Sequence, residues 1–273
     1  MKKDPTAHFK KSTLLPWIEM RVAHQSCACY EAHSHDEFSF GIIQEGTATY
    51  KNRDAVHHIG QGDVVTINPN DVHSCNPNAG RWSYSMLFVD PFKMGTIQGD
   101  IFGTEALDYL PFPNDVERGE DVRRKYRQLF QSLESESDVL EAEVLLYEFI
   151  ETVMAGDVMT LITRDHAQPE MRRVKEKLLD DMQQTQQLED LASEAGMSRY
   201  QLLRAFKGQF GLPPNAYLMD EKIKRAKVLL KAGKGIADVA FQLGFSDQAH
   251  FQRQFKKKLA VTPKYYQSHF VEK

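Results

Sequence analysis

The densest group of chemically able side chains in this sequence is Glu31-Ala-His33-Ser-His35-Asp-Glu37, joined later by His73 at the end of Asp63-Val-Val-Thr-Ile-Asn-Pro69-Asn-Asp-Val-His73. Imidazole nitrogens and a carboxylate are ligands for zinc, iron, manganese or nickel. On a strand, alternate side chains share a face, so His33, His35 and Glu37 would point the same way and His73 could join them from a later strand. The same four residues suit a metal-free polar pocket for an organic effector, or purely structural histidines. Arg81, Trp82, Tyr84 and Met86 fall on a further strand-like run. Trp82 and Tyr84 are candidates to line the effector pocket, with core packing as the alternative.

A second group near the C-terminus carries different chemistry. Arg199, Tyr200, Leu203 and Arg204 form one helical face, and Gln248, Ala249, Gln252 and Arg253, flanked by His250, form another. Arg pairs bidentately with guanine, Gln pairs with adenine, and Ala meets a thymine methyl, so both faces suit the major groove of duplex DNA. Lys207, Lys256, Lys257 and Lys258 would neutralise phosphates beside them.

The elements that must position these faces form a degenerate repeat. Asp190, Ala192, Gly196 and Ser198 recur 48 residues later as Asp238, Ala240, Gly244 and Ser246. Beyond the turn the offset becomes 49, and Arg204, Phe206, Lys207, Pro214 and Tyr217 recur as Arg253, Phe255, Lys256, Pro263 and Tyr266. Each copy has a short apolar-faced helix, a glycine for a tight turn, a Ser or Asp N-cap and a second helix, the ingredients of a helix-turn-helix. Ala192 and Ala240 are small where the helices should cross, and Leu202, Phe206, Phe251 and Phe255 are the buried positions opposite the reading faces. Between the copies, Pro214 to Lys231 predicts one helix of 18 residues. That length, about 27 Å, would spread the reading helices over successive groove faces.

Upstream the pattern is all-β, with strand-like runs Phe38–Ile43, Thr47–Tyr50, Asp63–Ile67 and Trp82–Val89 separated by Gly, Asn, Asp and Pro. Such spacing predicts a sandwich or small barrel. After Pro113 the spacing turns helical, with Val122, Tyr126, Leu129 and Leu133, then Val139, Val144, Leu145, Tyr147, Phe149 and Val153, predicting two trailing amphipathic helices. A further helix should begin at Pro169, with Glu170 beside it.

The run Gly244-Phe245-Ser246-Asp-Gln-Ala-His-Phe251-Gln-Arg-Gln-Phe255-Lys256, with Val261-Thr262-Pro263 and Tyr266, resembles the DNA-binding domain of the AraC/XylS regulators over about 100 residues. Ala260 departs from the glycine usual there, which Gly211 keeps in the first copy. The histidine segments, with Gly46 and then Gly62 to His73, resemble the two motifs of the cupin barrel, the usual sensor fold of that family. The family's glutamate ligand position is Ser39 here, and Glu37 lies two positions earlier. The resemblance implies a transcription regulator, more commonly an activator, that acts with RNA polymerase. His33-Ser-His-Asp-Glu-Phe together with Tyr84-Ser-Met-Leu-Phe-Val-Asp-Pro91 is similar to a subgroup associated with amino-acid exporters, which implies an amino acid or amine effector.

The expected architecture is therefore two-domain: a cupin-like β-barrel with trailing helices over 1–156, a linker over 157–168, and an all-α tandem helix-turn-helix domain over 169–273. Charge supports the division. Residues 169–273 carry 19 Lys and Arg against 12 Asp and Glu, whereas residues 1–168 carry 15 against 26. Only the C-terminal part is suited to a polyanion. The absence of an 18-residue apolar run and the polar start predict a cytoplasmic protein without a membrane segment. Cys27, Cys29 and Cys75 are an odd set in a reducing compartment and are expected to be buried thiols. The helices from Val122 to Met154 are candidates for a homodimer interface, for carrying the effector signal, or for simple packing on the barrel. A cupin dioxygenase or isomerase bearing a DNA-binding appendage is the rival from another class, and an architectural DNA binder with an inert barrel is the third reading.

Overall fold

The computed structural model describes residues 6–78, 80–102, 109–136, 138–155, 169–180, 182–184 and 186–271. They divide into a sheet-rich unit, residues 6–29 and 35–155, and a helical unit, residues 169–271 together with 30–34. The expected linker, 157–168, lies outside the described residues.

Aromatic and β-branched runs punctuated by Gly, Asn and Asp make the strands of the first unit. These are β1 (Ala7–Lys11), β2 (Ile18–Ser26), β3 (Phe38–Glu45), β4 (Thr47–Asn52), β5 (Ala55–Gly60), β6 (Val64–Ile67), β7 (His73–Pro77), β8 (Trp82–Val89) and the short β9 (Val116–Glu117). One antiparallel sheet has the order β1-β2-β8-β3-β6-β9 and a second the order β5-β4-β7. The two faces of β8 diverge in chemistry. Ser85, Leu87 and Val89 face the helices, where the Tyr126 hydroxyl donates to the Ser85 carbonyl at 2.9 Å. Trp82, Tyr84, Met86 and Phe88 alternate onto the opposite face, and there the register sets Arg21 against Met86 and Glu19 against Phe88.

The helices of this unit are α1 (Pro91–Phe102), α2 (Glu120–Ser135) and α3 (Val139–Met154). α1 was not expected from the sequence. In α2 the buried positions Val122, Tyr126, Leu129 and Leu133 make a stripe against the sheet, and Phe149 of α3 stacks on Phe40 of β3 at 4.6 Å between centroids. Asp138 caps α3 by accepting from the Leu140 N–H at 2.9 Å. The thiols depart from expectation: Cys27 and Cys29 are exposed and Cys75 is half-buried, because the first two lie beyond the end of β2.

The helical unit comprises α4 (Pro169–Asp180), α5 (Leu188–Glu194), α6 (Arg199–Phe210), α7 (Pro214–Lys231), α8 (Ile236–Gln242), α9 (Gln248–Leu259) and α10 (Pro263–Gln267). The pairs α5–α6 and α8–α9 are the two expected helix-turn-helix units, and α7 is the expected 18-residue helix between them. Ala192 and Ala240 are buried, as are Leu202, Phe206, Phe251 and Phe255. Each of these aromatic side chains contributes about 1.5–3 kcal/mol by leaving water.

The two turn glycines share a left-handed backbone, φ +63° at Gly196 and +65° at Gly244, but not their surroundings. A Cβ on Gly196 would meet nothing within 4 Å, whereas one on Gly244 would lie 2.7 Å from the Gln183 Cα and 2.8 Å from its carbonyl oxygen. Gly196→Ala should therefore cost only the left-handed penalty, about 1 kcal/mol. Gly244→Ala adds an overpacking cost and should lose about 3 kcal/mol in total. Thermal melts of the two variants check the difference, and equal shifts would contradict it.

Candidate nucleic-acid interface and sensor site

Each reading helix starts from a side-chain cap. Ser198 and Gln201 form a reciprocal capping box at α6, with the Gln201 N–H donating to Ser198 Oγ at 3.3 Å and the Ser198 N–H to Gln201 Oε1 at 2.9 Å. At α9 the cap is Asp247, which accepts from the His250 N–H at 2.6 Å. That backbone bond holds its carboxyl below the ordinary carboxylate range. The changed offset of the repeat is thus the insertion that moves the cap from Ser198 to Asp247.

On α6, Arg199, Tyr200, Arg204 and Lys207 are exposed and Leu203 is half-buried. Tyr200 keeps 67% of its surface open, large for an aromatic ring without a ligand. The Arg204 guanidinium lies 5.8 Å from the Tyr200 ring centroid, and Arg199 pairs with Glu189 at 3.1 Å. On α9, Gln248, Ala249 and Arg253 are exposed, with Gln252 and Lys256 half-buried on the same side. His250, at the flank, is half-buried: its Nδ1 lies 3.1 Å from Ser246 Oγ, its Nε2 lies 3.3 Å from Gln254, and its ring edges onto Phe245. Lys258 departs from the phosphate role. Its side chain is 7% exposed and its Nζ donates to the Ala32 carbonyl at 2.6 Å.

Sequence reasoning missed the buried charged residues of α7, Lys222 and Asp220, which tie that helix to the second helix-turn-helix unit. Lys222, buried, donates to the Gly244 carbonyl at 3.1 Å and so ties α7 to the second turn, and burial pushes its ammonium pKa down. Asp220 is 2% exposed beside Lys224 and Lys258. The i,i+4 spacing of Asp220 and Lys224 was a visible signal, but it reads equally as a solvated pair.

In the sheet-rich unit the histidines part company. β3 begins at Phe38, so residues 33–37 precede the strand and strand alternation does not align them. His35 and His73 meet, with ring centroids 4.7 Å apart, and both are buried. The His35 Nδ1 donates to the Glu37 carbonyl at 2.8 Å, which leaves Nε2 to accept from the Ser39 hydroxyl at 3.1 Å. His73 Nδ1 donates to the Asp71 carbonyl at 2.9 Å. His33 belongs to the helical unit, with Nδ1 2.9 Å from the Glu31 carbonyl. Among the described residues no three His, Cys, Asp or Glu side chains converge to hold a metal ion. The expected set His33, His35, Glu37 and His73 is therefore not assembled. Two imidazoles and a serine hydroxyl remain, a donor set that does not fit the transition metals considered.

Trp82 and Tyr84 are both buried, with ring centroids 4.4 Å apart. The Arg21 guanidinium sits 5.6 Å from the Tyr84 ring centroid and 5.0 Å from that of Phe9. The Trp82 Nε1–H is buried without a hydrogen-bond acceptor among the described residues. His35 edges onto Phe88 at 5.3 Å, so the histidine pair adjoins the face that carries Trp82 and Tyr84.

Comparison with known proteins bears on both units. The model of the AraC-like ligand binding domain matches residues 22–150, and that of a helix-turn-helix domain matches residues 191–269. The HTH-type transcriptional regulator YbfI of Bacillus subtilis (strain 168) is 33% identical over 221 residues, 80% of each chain. This chain belongs to the AraC family. Another relative of this AraC-family chain, the HTH-type transcriptional activator RhaS of Klebsiella pneumoniae (strain 342), is 24% identical over 272 residues, 95% of this chain and 94% of that one. In fold, it is similar to unsaturated fatty acid bound ToxT from Vibrio cholerae strain SCE256, with a TM-score of 0.59 at 15% identity over 99% of this chain and 98% of that one. The AraC-family chain is thus a transcription regulator with a ligand-binding domain and a DNA-binding domain. Among the described residues no helix is long and apolar enough to cross a membrane.

The exposed α9 face generates a test. Arg253→Ala should relax preference at one or two base positions by about 1–3 kcal/mol each while leaving binding to other positions intact. A selection from randomised duplexes that returns the same site for the variant and the parent would remove Arg253 from the reading face.

Proposed function

We propose that this protein is a cytoplasmic, effector-responsive activator of transcription whose two reading helices recognise one asymmetric duplex site. The observation that carries the reading is the pairing of two exposed, chemically different helix faces with a sheet-rich unit that buries acid, base and aromatic side chains together. The effector is a small polar organic molecule, an amino acid or amine, rather than a metal. Glu19 and Arg21, both buried on β2 and two residues apart, offer one acidic and one basic group on the Trp82 and Tyr84 face, and these complement the opposite charges of an amino acid. His35, Ser39 and His73 supply hydrogen-bonding groups beside it. The barrel senses rather than catalyses, in keeping with regulators as its relatives, and contact with RNA polymerase is the route by which an activator of this family would act.

The protein works as a homodimer through α3. Leu140 and Val144 on this helix are 67% and 48% exposed, one turn apart, with Tyr147 continuing the same side. An exposed apolar stripe of this kind suits a second copy of itself.

Two measurements test these statements on the full chain. His73→Ala should abolish the thermal shift produced by whichever member of a panel of amino acids and amines stabilises the parent, with operator binding in the absence of effector retained. An unaltered shift would remove the histidine pair from the site, and stabilisation only by zinc, iron, manganese or nickel would favour the metal reading. Leu140→Ser combined with Val144→Ser should convert a dimer to a monomer in sedimentation equilibrium, and an unchanged mass would exclude this face.

A further inference from the structure

Trp82 opens β8 on the face that carries Tyr84, is 2% exposed, and has an Nε1–H with no acceptor among the described residues. A buried indole N–H ordinarily finds a partner, so this one asks for an explanation. The backbone around it is shaped to hold its direction. Both strands that flank β8 change register beside it, β2 between Ala23 and Ser26 and β3 between Ile43 and Glu45. Bulges of this kind re-aim side chains next to functional sites. Within the first of them Gln25 takes a left-handed φ of +52°, uncommon for a residue with a side chain. Hydrogen bonds secure it: the Gln25 N–H donates to Ser83 Oγ at 3.1 Å, the Ser83 hydroxyl donates to Glu45 Oε2 at 3.2 Å, and the Gln25 side-chain amide donates to the same carboxylate. On the other side Gly46, at φ +81°, passes so close that a Cβ there would lie 2.7 Å from the Arg81 carbonyl oxygen and 3.0 Å from the Trp82 Cβ. A strained residue, two register shifts and a glycine with no room for a side chain converge on one indole.

We propose that the Trp82 Nε1–H is the specificity-determining donor of the sensor site, and that the effector is an amino acid whose side chain ends in a carbonyl oxygen, as an amide or a carboxylate does. The inference rests on the proposed reading, in which Glu19 and Arg21 take the two charges of an amino acid, and it assigns the polar group which that reading leaves over. Position decides what Trp82 reads. Along β8 the order is Trp82, Tyr84, then Met86 opposite Arg21 and Phe88 opposite Glu19. The Arg21 guanidinium lies 5.6 Å from the Tyr84 ring centroid, and the Trp82 ring lies 4.4 Å from it on the indole side. An amino acid held by its charged end at Glu19 and Arg21 thus presents its side chain along Tyr84 toward the indole. The indole N–H is a donor only. It takes an oxygen lone pair, cannot take an ammonium, and is left bare by a hydrocarbon, which separates a glutamine-like side chain from a lysine-like or aliphatic one.

The test uses the full chain with L-glutamine, L-glutamate, L-norleucine and 1,4-diaminobutane as probes. In calorimetric titration the parent should bind glutamine or glutamate about tenfold or more tighter than norleucine, and Trp82→Phe, which keeps a ring and loses the donor, should bring them within about threefold. A second measurement keeps the pocket intact and serves if Trp82→Phe melts early. In 15N-labelled protein carrying Trp17→Phe to identify the signal, glutamine or glutamate should move the Trp82 indole proton downfield and norleucine should not. Equal affinities for the three amino acids, a preference that survives in Trp82→Phe, or an indole proton that ignores the oxygen-bearing ligands would overturn the assignment while leaving an amino-acid sensor in place. Binding of the diamine alone, or of no probe, would instead sink the amino-acid reading and this inference with it.

Discussion

Asp220 is a carboxylate withdrawn almost completely from water in the middle of α7, and the rest of the helical unit is arranged around the cost of that position. Moving one ion out of water costs several kcal/mol, so a buried carboxylate persists only with close donors and counter-charges. Here they come from three parts of the chain: Lys224 one turn along the same helix, Lys258 from the end of α9, and the amide and hydroxyl of Ser34. None of these alone satisfies the group. Helix spacing and the position of Ser34 are consequently one energetic unit, because displacing any donor leaves a buried carboxylate short of a partner.

Around this centre the two helix-turn-helix units are similar in backbone and unlike in setting. The second is braced by Lys222 on the Gly244 carbonyl and by the Gln183 side chain, which donates to the Gln242 carbonyl at 2.9 Å. The first turn has open space at Gly196. Their caps differ as well, a neutral capping box on α6 and a carboxylate on α9. The Arg- and Tyr-bearing face of α6 and the Gln- and Arg-bearing face of α9, joined through one 18-residue helix, are chemically unlike, and under the proposed function this difference gives the site of a single chain its polarity.

How much of this was legible in the sequence depends on the range of the forces involved. The repeat was readable because its requirements are local: a left-handed residue at Gly196 and Gly244, a cap at Ser198 and Asp247, and apolar positions one turn apart. The bounds of α7 followed from Pro214 and a continuous helical pattern. The histidine set was misjudged because alternation holds only within a strand, and the residues that precede Phe38 are not in one. His35 and His73 still met although β3 and β7 lie in different sheets, because the segment before β3 is held to the turn before β7, where the Asn70 N–H donates to the His35 carbonyl at 2.8 Å. The docking of the Tyr30–Ser34 stretch on α7 and α9 was invisible. Its hydrogen bonds span 186 residues from Ser34 to Asp220 and 226 from Ala32 to Lys258, and no periodicity announces a contact of that separation. The outward turn of Leu140 and Val144 was hidden for a related reason, because hydrophobic spacing marks a face without saying what covers it.

The sequence holds two tryptophans, Trp17 and Trp82, and both lie in the sheet-rich unit. Trp82 is the buried indole whose N–H has no acceptor among the described residues, packed on Tyr84 near Arg21. Indole emission responds to the polarity and hydrogen bonding of its immediate surroundings, so fluorescence excited at the red edge of the indole band, where tyrosine does not absorb, comes from the sheet-rich unit, while the helical unit has tyrosines but no tryptophan. The molecule thus carries its own optical separation of two events that are otherwise read together: what happens when the effector arrives, and what happens when the duplex does.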